Sequence, residues 1–222
     1  HVLAAVGSPV DASAATAHGT LGAVEAVPEA GLKDATPGRA LVHGCGAVGG
    51  SVARGVGEHG WRVFSVDLSR ERAGVPGATP LPQGCPWWEL KLDLLLPCSI
   101  SGLINAEMAS ALRATSVVPA ANAPFQSPQL ADALRQRGIR VLPDPLVNAG
   151  AVIADSIERF SPDAWKDAGA KDVYAFVREE VRRRATDYLN QRDQGLSVGA
   201  ALNEVAAAPA TDPIGLSFGD AA

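Results

Sequence analysis

A glycine-rich turn between an apolar strand and a helix is the feature of this sequence that most constrains its fold. Residues 41–49 read Leu-Val-His-Gly-Cys-Gly-Ala-Val-Gly, which predicts a strand, a tight turn and a helix beginning near Val48. Gly44 permits the turn, Gly46 lets backbone N–H groups approach a ligand, and Gly49 lets the helix pack closely on the strand. The positive end of the helix dipole would then face an anion such as a diphosphate.

An acidic residue follows this turn at the distance expected for a dinucleotide site. Residues 61–66 predict a second strand, and Asp67 ends it about twenty residues after the glycines. A carboxylate there can accept both hydroxyls of a ribose and repels a 2′-phosphate, so we expect NAD. Arg70 and Arg72 keep NADP as the less favoured alternative, because a guanidinium just past the strand can hold that phosphate. The residues predicted to bind the cofactor here are Gly44, Gly46, Ala47, Val48, Gly49 and Asp67. An inherited fold that no longer binds a nucleotide is the other interpretation.

Short apolar segments alternate with helical ones along the middle of the chain. Strands are predicted near 39–43, 61–66, 92–95, 115–119 and 139–142, and helices near 48–58, 105–112 and 128–136. This alternation indicates an α/β fold with a doubly wound parallel sheet, a Rossmann-like NAD(P)-binding domain. Its ligand should bind at the carboxyl ends of the strands.

Helical patterns replace strands beyond Pro145, and we expect these C-terminal helices to pack on the sheet domain. Apolar residues at helical spacing between 173 and 189 predict a long amphipathic helix, whose charged residues we interpret as a solvated face. They are Arg178, Glu179, Arg182 and Arg183. The predicted division is a hinge helix and linker over 1–38, a dinucleotide-binding domain over 39–145, its helical part over 146–208 and an extended tail over 209–222.

Composition excludes several classes of function. The formal net charge is −5, and no basic stripe alternates with aromatic residues, so nucleic acid is not expected as a partner. No apolar stretch is long enough to span a membrane, and an intracellular protein is expected. The three cysteines, Cys45, Cys85 and Cys98, lack metal-site spacing and are interpreted as reduced thiols.

Four further segments carry a specific pattern. Residues 13–19 read Ser-Ala-Ala-Thr-Ala-His-Gly, 97–100 Pro-Cys-Ser-Ile, 120–124 Ala-Ala-Asn-Ala-Pro, and 143–153 Pro-Asp-Pro-Leu-Val-Asn-Ala-Gly-Ala-Val-Ile. In order and spacing they resemble the cofactor-binding, C-terminal domain of the glutamate/leucine/phenylalanine/valine dehydrogenases, nearest the leucine dehydrogenase-like branch. The matching family patterns are Ser-Pro-x-Thr-Ala-x-Gly, Pro-Cys-Ala-Leu, Gly-Ala-Asn-Gly-Pro and Pro-Asp-x-x-x-Asn-Ala-Gly-Gly-Val-Ile.

This resemblance implies oxidative deamination of an L-amino acid with NAD(P), and cofactor contacts from Thr16, Cys98, Asn122 and Asn148. Asn122 would face the nicotinamide ribose and carboxamide, which an amide suits because it both donates and accepts. Local structural roles remain open: a helix hydroxyl for Thr16, a loop cap for Asn122 and a helix N-cap for Asn148.

The chain also departs from the family. Ala151 stands where the family has the second Gly of Asn-Ala-Gly-Gly, and Ala14 stands where it has Pro. In the family the acid–base groups are a Lys in a Gly-rich loop and a nearby Asp of a separate N-terminal domain. The lysines here, none of them in a Gly-rich loop, are Lys33, Lys91, Lys166 and Lys171. We therefore predict that the catalytic domain is absent from this chain, which leaves open whether it acts as an enzyme.

Two functions follow as hypotheses. The first is the NAD-binding domain of an amino-acid dehydrogenase, cytoplasmic as in the family, whose catalytic domain was removed or is supplied by another chain. The second is a non-catalytic, dehydrogenase-derived subunit of a larger assembly, organellar if the start at His1 reflects processing. Both predict other protein subunits as partners, in a homo-oligomer or a larger complex. The amino-acid substrate is not encoded in these motifs.

Overall fold

The computed structural model describes residues 10–27 and 38–208. The chain divides into two compact units. We call Pro28–Asn148 the sheet unit, and His1–Val27 together with Ala149–Ala222 the helical unit. The predicted linker before residue 38 and the predicted tail over 209–222 lie outside the described residues.

The sheet unit is built on a six-stranded sheet with the order β3-β2-β1-β4-β5-β6. The strands are β1 (Arg39–His43), β2 (Arg62–Val66), β3 (Ala78–Pro80), β4 (Leu92–Pro97), β5 (Ala114–Val117) and β6 (Arg140–Val141). All neighbouring strands pair in parallel, which confirms the predicted doubly wound α/β fold. The sequence pattern did not predict β3.

The centre of the sheet is apolar on both faces because helices and loops cover it. The residues of β1 from Ala40 to Val42 are fully buried, as are Leu94, Leu95 and Leu96 of β4. Such near-continuous apolar runs are typical of parallel strands covered on both sides. The strand order reverses between β1 and β4. In a sheet of this kind, the crevice at the carboxyl ends of those two strands is where ligands bind.

The helices of the sheet unit connect these strands. They are α2 (Ala47–Glu58), α3 (Arg70–Ala73), a 3-10 turn (Trp87–Glu89), α4 (Ala106–Ala111), α5 (Pro128–Gln136) and α6 (Asp144–Val147). Local chemistry sets several of their starts. The Asn105 side chain accepts the Met108 N–H at 2.8 Å before α4, and Pro128 begins α5, where its fixed φ suits a first helical residue.

The helical unit contains the predicted N-terminal and C-terminal helices. They are α1 (Ala12–Ala26), α7 (Gly150–Phe160), α8 (Pro162–Asp167), α9 (Ala170–Asp193) and α10 (Val198–Ala207). The backbones of α1 and α9 touch, because a side chain at Gly22 would overlap the carbonyl oxygen of Arg178. The Arg178 guanidinium also donates to both Glu25 oxygens, at 2.6 and 3.2 Å. Close packing and a bidentate ion pair therefore join these two helices.

The long helix α9 matches its predicted apolar face, and its charged face is only partly solvated. The predicted apolar residues are all buried: Val173, Phe176, Val177, Val181, Ala185, Tyr188 and Leu189. Arg182 and Glu179 form an exposed pair, but Arg178 reaches Glu25 of α1. Glu180, which is only 5% exposed, accepts from Arg183 and Arg184. The interpretation of a solvated charge run was therefore incomplete, because tertiary packing recruits part of it.

No helix within the described ranges is both long enough and apolar enough to cross a membrane. The same residues contain no cluster of three or more His, Cys, Asp or Glu side chains suited to a metal ion. Cys45, Cys85 and Cys98 are free thiols.

Candidate functional site at the carboxyl edge of the sheet

The turn between β1 and α2 requires glycine at two of its positions, Gly44 and Gly49. Gly44 has a φ of +91°, in the left-handed region that favours glycine, and its N–H donates to the Val66 carbonyl at 2.7 Å. A side chain at Gly49 would overlap the Gly44 carbonyl oxygen and lie 2.9 Å from the Cys98 Cβ. The first and last glycines of the motif therefore close the turn onto β2, β4 and α2.

Gly46 is different, because its surroundings are open. Among the described residues, a Cβ added at Gly46 would meet no atom within 4 Å. Gly46 is the N-cap of α2 and has no side chain to accept the N–H groups of the first turn, which no intrahelical carbonyl can reach. Gly46 and Ala47 are exposed and Val48 is half-buried. A side chain would fill this space, whereas a diphosphate could accept those N–H groups.

Asp67 is fixed to the glycine turn. Its Oδ2 accepts the Cys45 N–H at 2.8 Å, and its Oδ1 accepts the Ser69 N–H at 2.8 Å. Burial alone would raise the pKa of Asp67, but these two N–H groups and the Arg72 guanidinium hold that pKa below its ordinary value. The carboxylate is thus charged and oriented at the end of β2.

The Arg72 guanidinium lies against Asp67 at 3.1 Å from Oδ1. Oδ1 therefore accepts from Ser69 and Arg72, while Oδ2 accepts the Cys45 N–H and has a second lone pair that can accept from a donor such as a ribose hydroxyl. Arg70, the other cation considered for a 2′-phosphate, is exposed at the start of α3. The two arginines are therefore not equivalent, because only Arg72 contacts the carboxylate.

Two asparagines from different loops meet at the other side of this edge. Asn148 Nδ2 donates to Asn122 Oδ1 at 2.7 Å and reaches the Ala120 carbonyl at 3.4 Å. Asn148 is the C-cap of α6, and Ala149 rather than Asn148 occupies the N-cap position of α7. The N-cap role considered for Asn148 is therefore not the one observed. Because Asn122 is exposed and its oxygen is engaged, its amide NH₂ can donate to a ligand.

The turn that carries Asn122 contains a strained residue. The Ala120 and Ala121 N–H groups both donate to the Pro97 carbonyl at 2.9 Å, which places the turn beside the end of β4. Ala123 has a φ of +42°, and its N–H donates to Asp144 Oδ2 at 2.8 Å. The family pattern has Gly at this position, so Ala123 keeps a left-handed conformation that costs an L-residue about 1–2 kcal/mol.

We expect Ala123→Gly to stabilise the protein by about 0.5–1 kcal/mol, because the relief of about 1–2 kcal/mol of left-handed strain outweighs the entropy cost of a new glycine. The matched control is Ala121→Gly in the same turn, which has no positive φ to relieve. That change should destabilise by roughly 0.5–1 kcal/mol through backbone entropy. Urea unfolding of both variants measures the difference, and equal effects would contradict the assignment of strain to Ala123.

The two thiols near the turn, Cys45 and Cys98, are protonated and weakly nucleophilic. Burial raises the pKa of Cys45 to about 11, and burial likewise raises the pKa of Cys98 above its ordinary value. Cys98 lies directly after β4, and its N–H donates to the His43 carbonyl at 2.7 Å. Both cysteines are neutral packing groups around the glycines, with Cys98 bordering the predicted cofactor position.

The structure adds two polar residues that the sequence interpretation missed, His43 and Ser99. His43 ends β1, and its Nδ1 lies 2.9 Å from Ser99 Oγ in the segment after β4. The His43 ring is tilted against Trp87, with 5.0 Å between ring centroids. Burial lowers the pKa of His43, and the Asp67 carboxylate only partly opposes this. The position of a histidine at the carboxyl end of β1 was the signal in the sequence that could have identified it.

Thr16 belongs to the helical unit, where its hydroxyl donates to the Ala12 carbonyl within α1 at 2.9 Å. This is the helix-hydroxyl role that the sequence left open for it. In the same unit, a side chain at Gly150 would overlap the Ala15 carbonyl oxygen, whereas Ala151 is only half-buried. The structure thus brings most predicted site residues to one edge of the sheet unit: Gly44, Gly46, Ala47, Val48, Gly49, Asp67, Cys98, Asn122 and Asn148.

The known sequences that this chain resembles are amino-acid dehydrogenases. The protein-family model described as Glutamate/Leucine/Phenylalanine/Valine dehydrogenase matches residues 68–209 of this chain. Phenylalanine dehydrogenase from Lysinibacillus sphaericus is 26% identical over 192 residues, which cover 82% of this chain and 50% of that protein. Leucine dehydrogenase from Geobacillus stearothermophilus is 29% identical over 152 residues, covering 66% of this chain and 41% of that protein. The chain spans about half the length of the curated relatives it matches.

Solved structures share the fold. The crystal structure of L-tryptophan dehydrogenase from Nostoc punctiforme matches with a TM-score of 0.75 and 22% identity, over 88% of this chain and 60% of that one. The hetero-hexameric glutamate dehydrogenase from Thermus thermophilus matches with a TM-score of 0.68 and 22% identity, over 87% of this chain and 51% of that one.

Proposed function

The chain belongs to the glutamate/leucine/phenylalanine/valine dehydrogenase family, whose members depend on nicotinamide nucleotides, and from this premise we propose that it is the NAD-binding part of an amino-acid dehydrogenase. The reaction would be oxidative deamination of an L-amino acid. The observation that carries the proposal is the open N-terminus of α2 at Gly46, beside a charged Asp67 that the Cys45 N–H orients. A dinucleotide needs both a diphosphate site and a ribose acceptor in this arrangement.

Each residue at the edge then has a role toward the cofactor. The N–H groups of Ala47 and Val48 bind the diphosphate, with Gly46 leaving room for it. Asp67 accepts the hydroxyls of the adenosine ribose. Asn122 donates to the nicotinamide carboxamide, and Asn148 orients Asn122 through the 2.7 Å hydrogen bond between them. When bound, the nicotinamide supplies the hydride acceptor for the reaction.

Cys98 and Thr16 are the remaining residues that we assign to the cofactor site. Cys98 borders the glycine turn as a neutral thiol and would pack beside the dinucleotide. The assignment of Thr16 rests on the resemblance of residues 13–19 to the family motif. In the structure its hydroxyl donates within α1.

Asp67 supports NAD over NADP. A carboxylate held ionised at the end of β2 would face the 2′-phosphate of NADP with like charge. Arg72 offsets part of that charge from its place on Oδ1. Preference for NADP would make Arg70 and Arg72 the phosphate ligands.

We expect Asp67→Ala to weaken NADH binding by about 1.5–3 kcal/mol, because charge-assisted hydrogen bonds to the ribose are lost. Calorimetry with NADH and with NADPH measures the effect. Asp93→Ala is the matched control, since the Asp93 carboxylate also accepts a backbone N–H, that of Arg39 at 2.7 Å, but at the opposite end of β1. This control should leave affinity unchanged.

Tighter binding of NADPH than of NADH would contradict the assignment of Asp67. Absence of heat with either nucleotide would favour the second candidate, a non-catalytic subunit derived from a dehydrogenase. The observation that favours this non-catalytic subunit is the ion pair between Arg72 and Asp67, because it already occupies part of the carboxylate.

We also propose that the acid–base groups for deamination come from outside these 222 residues, either in the same polypeptide or in another chain. The chain should work with other protein subunits, in a homo-oligomer or a larger complex. The hetero-hexameric glutamate dehydrogenase of Thermus thermophilus, a protein of the same fold, supports this. Light scattering after size-exclusion chromatography tests it, and a monomer at micromolar concentration would contradict a homo-oligomer.

A further inference from the structure

His43 and Ser99 lie where the strand order of the sheet reverses. His43 is the last residue of β1 and pairs with Pro97 at the end of β4, and Ser99 lies two residues further on. The crevice between two such strands is the usual position of a ligand in an open parallel sheet. The roles assigned above to Ala47, Val48, Asp67 and Asn122 leave this pair unused.

Three contacts place the pair next to the glycine turn. His43 Nδ1 lies 2.9 Å from Ser99 Oγ, and the His43 ring is placed by its contact with Trp87. Ser99 packs on the turn itself, because a Cβ added at Gly44 would lie 2.5 Å from the Ser99 Cβ. Both residues are half-buried and therefore within reach of a ligand.

The chemistry of the pair suits an anion. When Nδ1 carries the proton and donates it to Ser99 Oγ, the Ser99 hydroxyl is free to donate to a phosphate oxygen. A protonated imidazole would add a positive charge on the same side. The groups that act on His43 are the Asp67 carboxylate at the end of β2, the Ser99 hydroxyl and the uncharged Trp87 ring.

We propose that the His43–Ser99 pair binds the diphosphate of the dinucleotide across from the N-terminus of α2, and that His43 takes up a proton when the cofactor binds. This inference rests on the proposed function. Ser99 is the direct ligand, and His43 is a positioning residue that acts through it. Cofactor affinity then depends on pH in a range where the other groups at this edge keep their charge.

The direction of this dependence follows from the environment of His43. Burial lowers the pKa of His43 in the free protein, and a neighbouring diphosphate dianion would raise it. A group whose pKa rises on binding makes binding tighter as the pH falls, by up to about tenfold per unit of difference. We expect NAD⁺ to bind about three- to tenfold more tightly at pH 6 than at pH 8.

Calorimetry with NAD⁺ at the two pH values, in buffers of different ionisation enthalpy, measures affinity and proton uptake together. His43→Gln can keep a hydrogen bond to Ser99 but cannot titrate, so its affinity should be independent of pH and without proton uptake. His59→Gln is the matched control, because His59 is an exposed histidine at the far end of α2. It should retain the wild-type pH dependence. Ser99→Ala should weaken binding about tenfold at pH 6.

The outcomes separate this inference from the proposed function. Binding of NAD⁺ that is independent of pH and still weakened by Asp67→Ala would overturn the role of His43 and leave the dinucleotide site standing. If NAD⁺ binds at neither pH, both the role of His43 and the proposed dinucleotide site are overturned. NMR titration of the His43 ring in the free and bound protein gives a measurement that needs no variant. An unchanged pKa on binding would overturn the proposal.

Discussion

Replacing Gly49 by alanine is expected to destabilise the protein by about 3 kcal/mol or more, because the new methyl group would overlap the Gly44 carbonyl oxygen and press on Cys98. Replacing Gly46 by valine should change the free energy of unfolding by less than about 1 kcal/mol. Apart from Gly46 itself and its neighbours along the chain, no described residue has an atom within 4 Å of the position the Cβ would take. The same valine should weaken NADH binding at least about 100-fold. Its side chain fills the space assigned to the diphosphate, so the diphosphate loses most of its hydrogen bonds to the N-terminus of α2.

These two variants, three residues apart, separate folding from binding. Urea unfolding measures the first property and titration with NADH the second. A stable Gly49→Ala variant would show that the turn can relax away from β4. Normal NADH binding by Gly46→Val would show that the diphosphate lies elsewhere than at the N-terminus of α2.

These 222 residues alone are expected not to reduce NAD⁺ with leucine, valine, phenylalanine or glutamate. No lysine of the sequence lies in a Gly-rich loop that could lower its pKa for proton transfer. Acid–base groups each contribute about 10²–10⁴-fold to rate. The loss of substrate positioning costs up to about 7–11 kcal/mol more in the barrier. Turnover should therefore fall below detection.

An absorbance assay for NADH, with saturating amino acid and NAD⁺, tests this expectation. Steady NADH production that Gly46→Val abolishes would place the catalytic groups within these residues and contradict the prediction. Activity that appears only after a second polypeptide is added would support a dehydrogenase divided between chains.

The sequence predicted the order of strands and helices because burial in a parallel sheet leaves a local pattern. The strands β1, β2 and β4 are mostly apolar segments of five or six residues, and their predicted limits agree with the structure to within two residues. The strand β3 has only three residues and no buried side chain. Its backbone pairing with β2 is therefore not visible in the hydropathy of the sequence.

The site was predictable where one residue type is required and unpredictable where distant loops meet. Gly44 and Gly49 have steric reasons that the motif already contains. The hydrogen bond between Asn122 and Asn148 spans 26 residues, and the one between His43 and Ser99 spans 56. Such partners depend on which loops the fold brings together. The strain at Ala123 was equally hidden, because its positive φ occurs in a turn whose N–H contacts Asp144, 21 residues further along the chain.

The pairing of α1 with α9 has a consequence for how the chain is made. Glu25 and Arg178 are 153 residues apart, and the whole sheet unit is translated between them. At about 5–20 residues per second, α1 emerges from the ribosome roughly 8–30 s before its partner exists. During that interval the glycine-lined face that later contacts α9 is uncovered, so a nascent chain arrested before residue 170 should recruit chaperones through α1, and release should follow synthesis of α9.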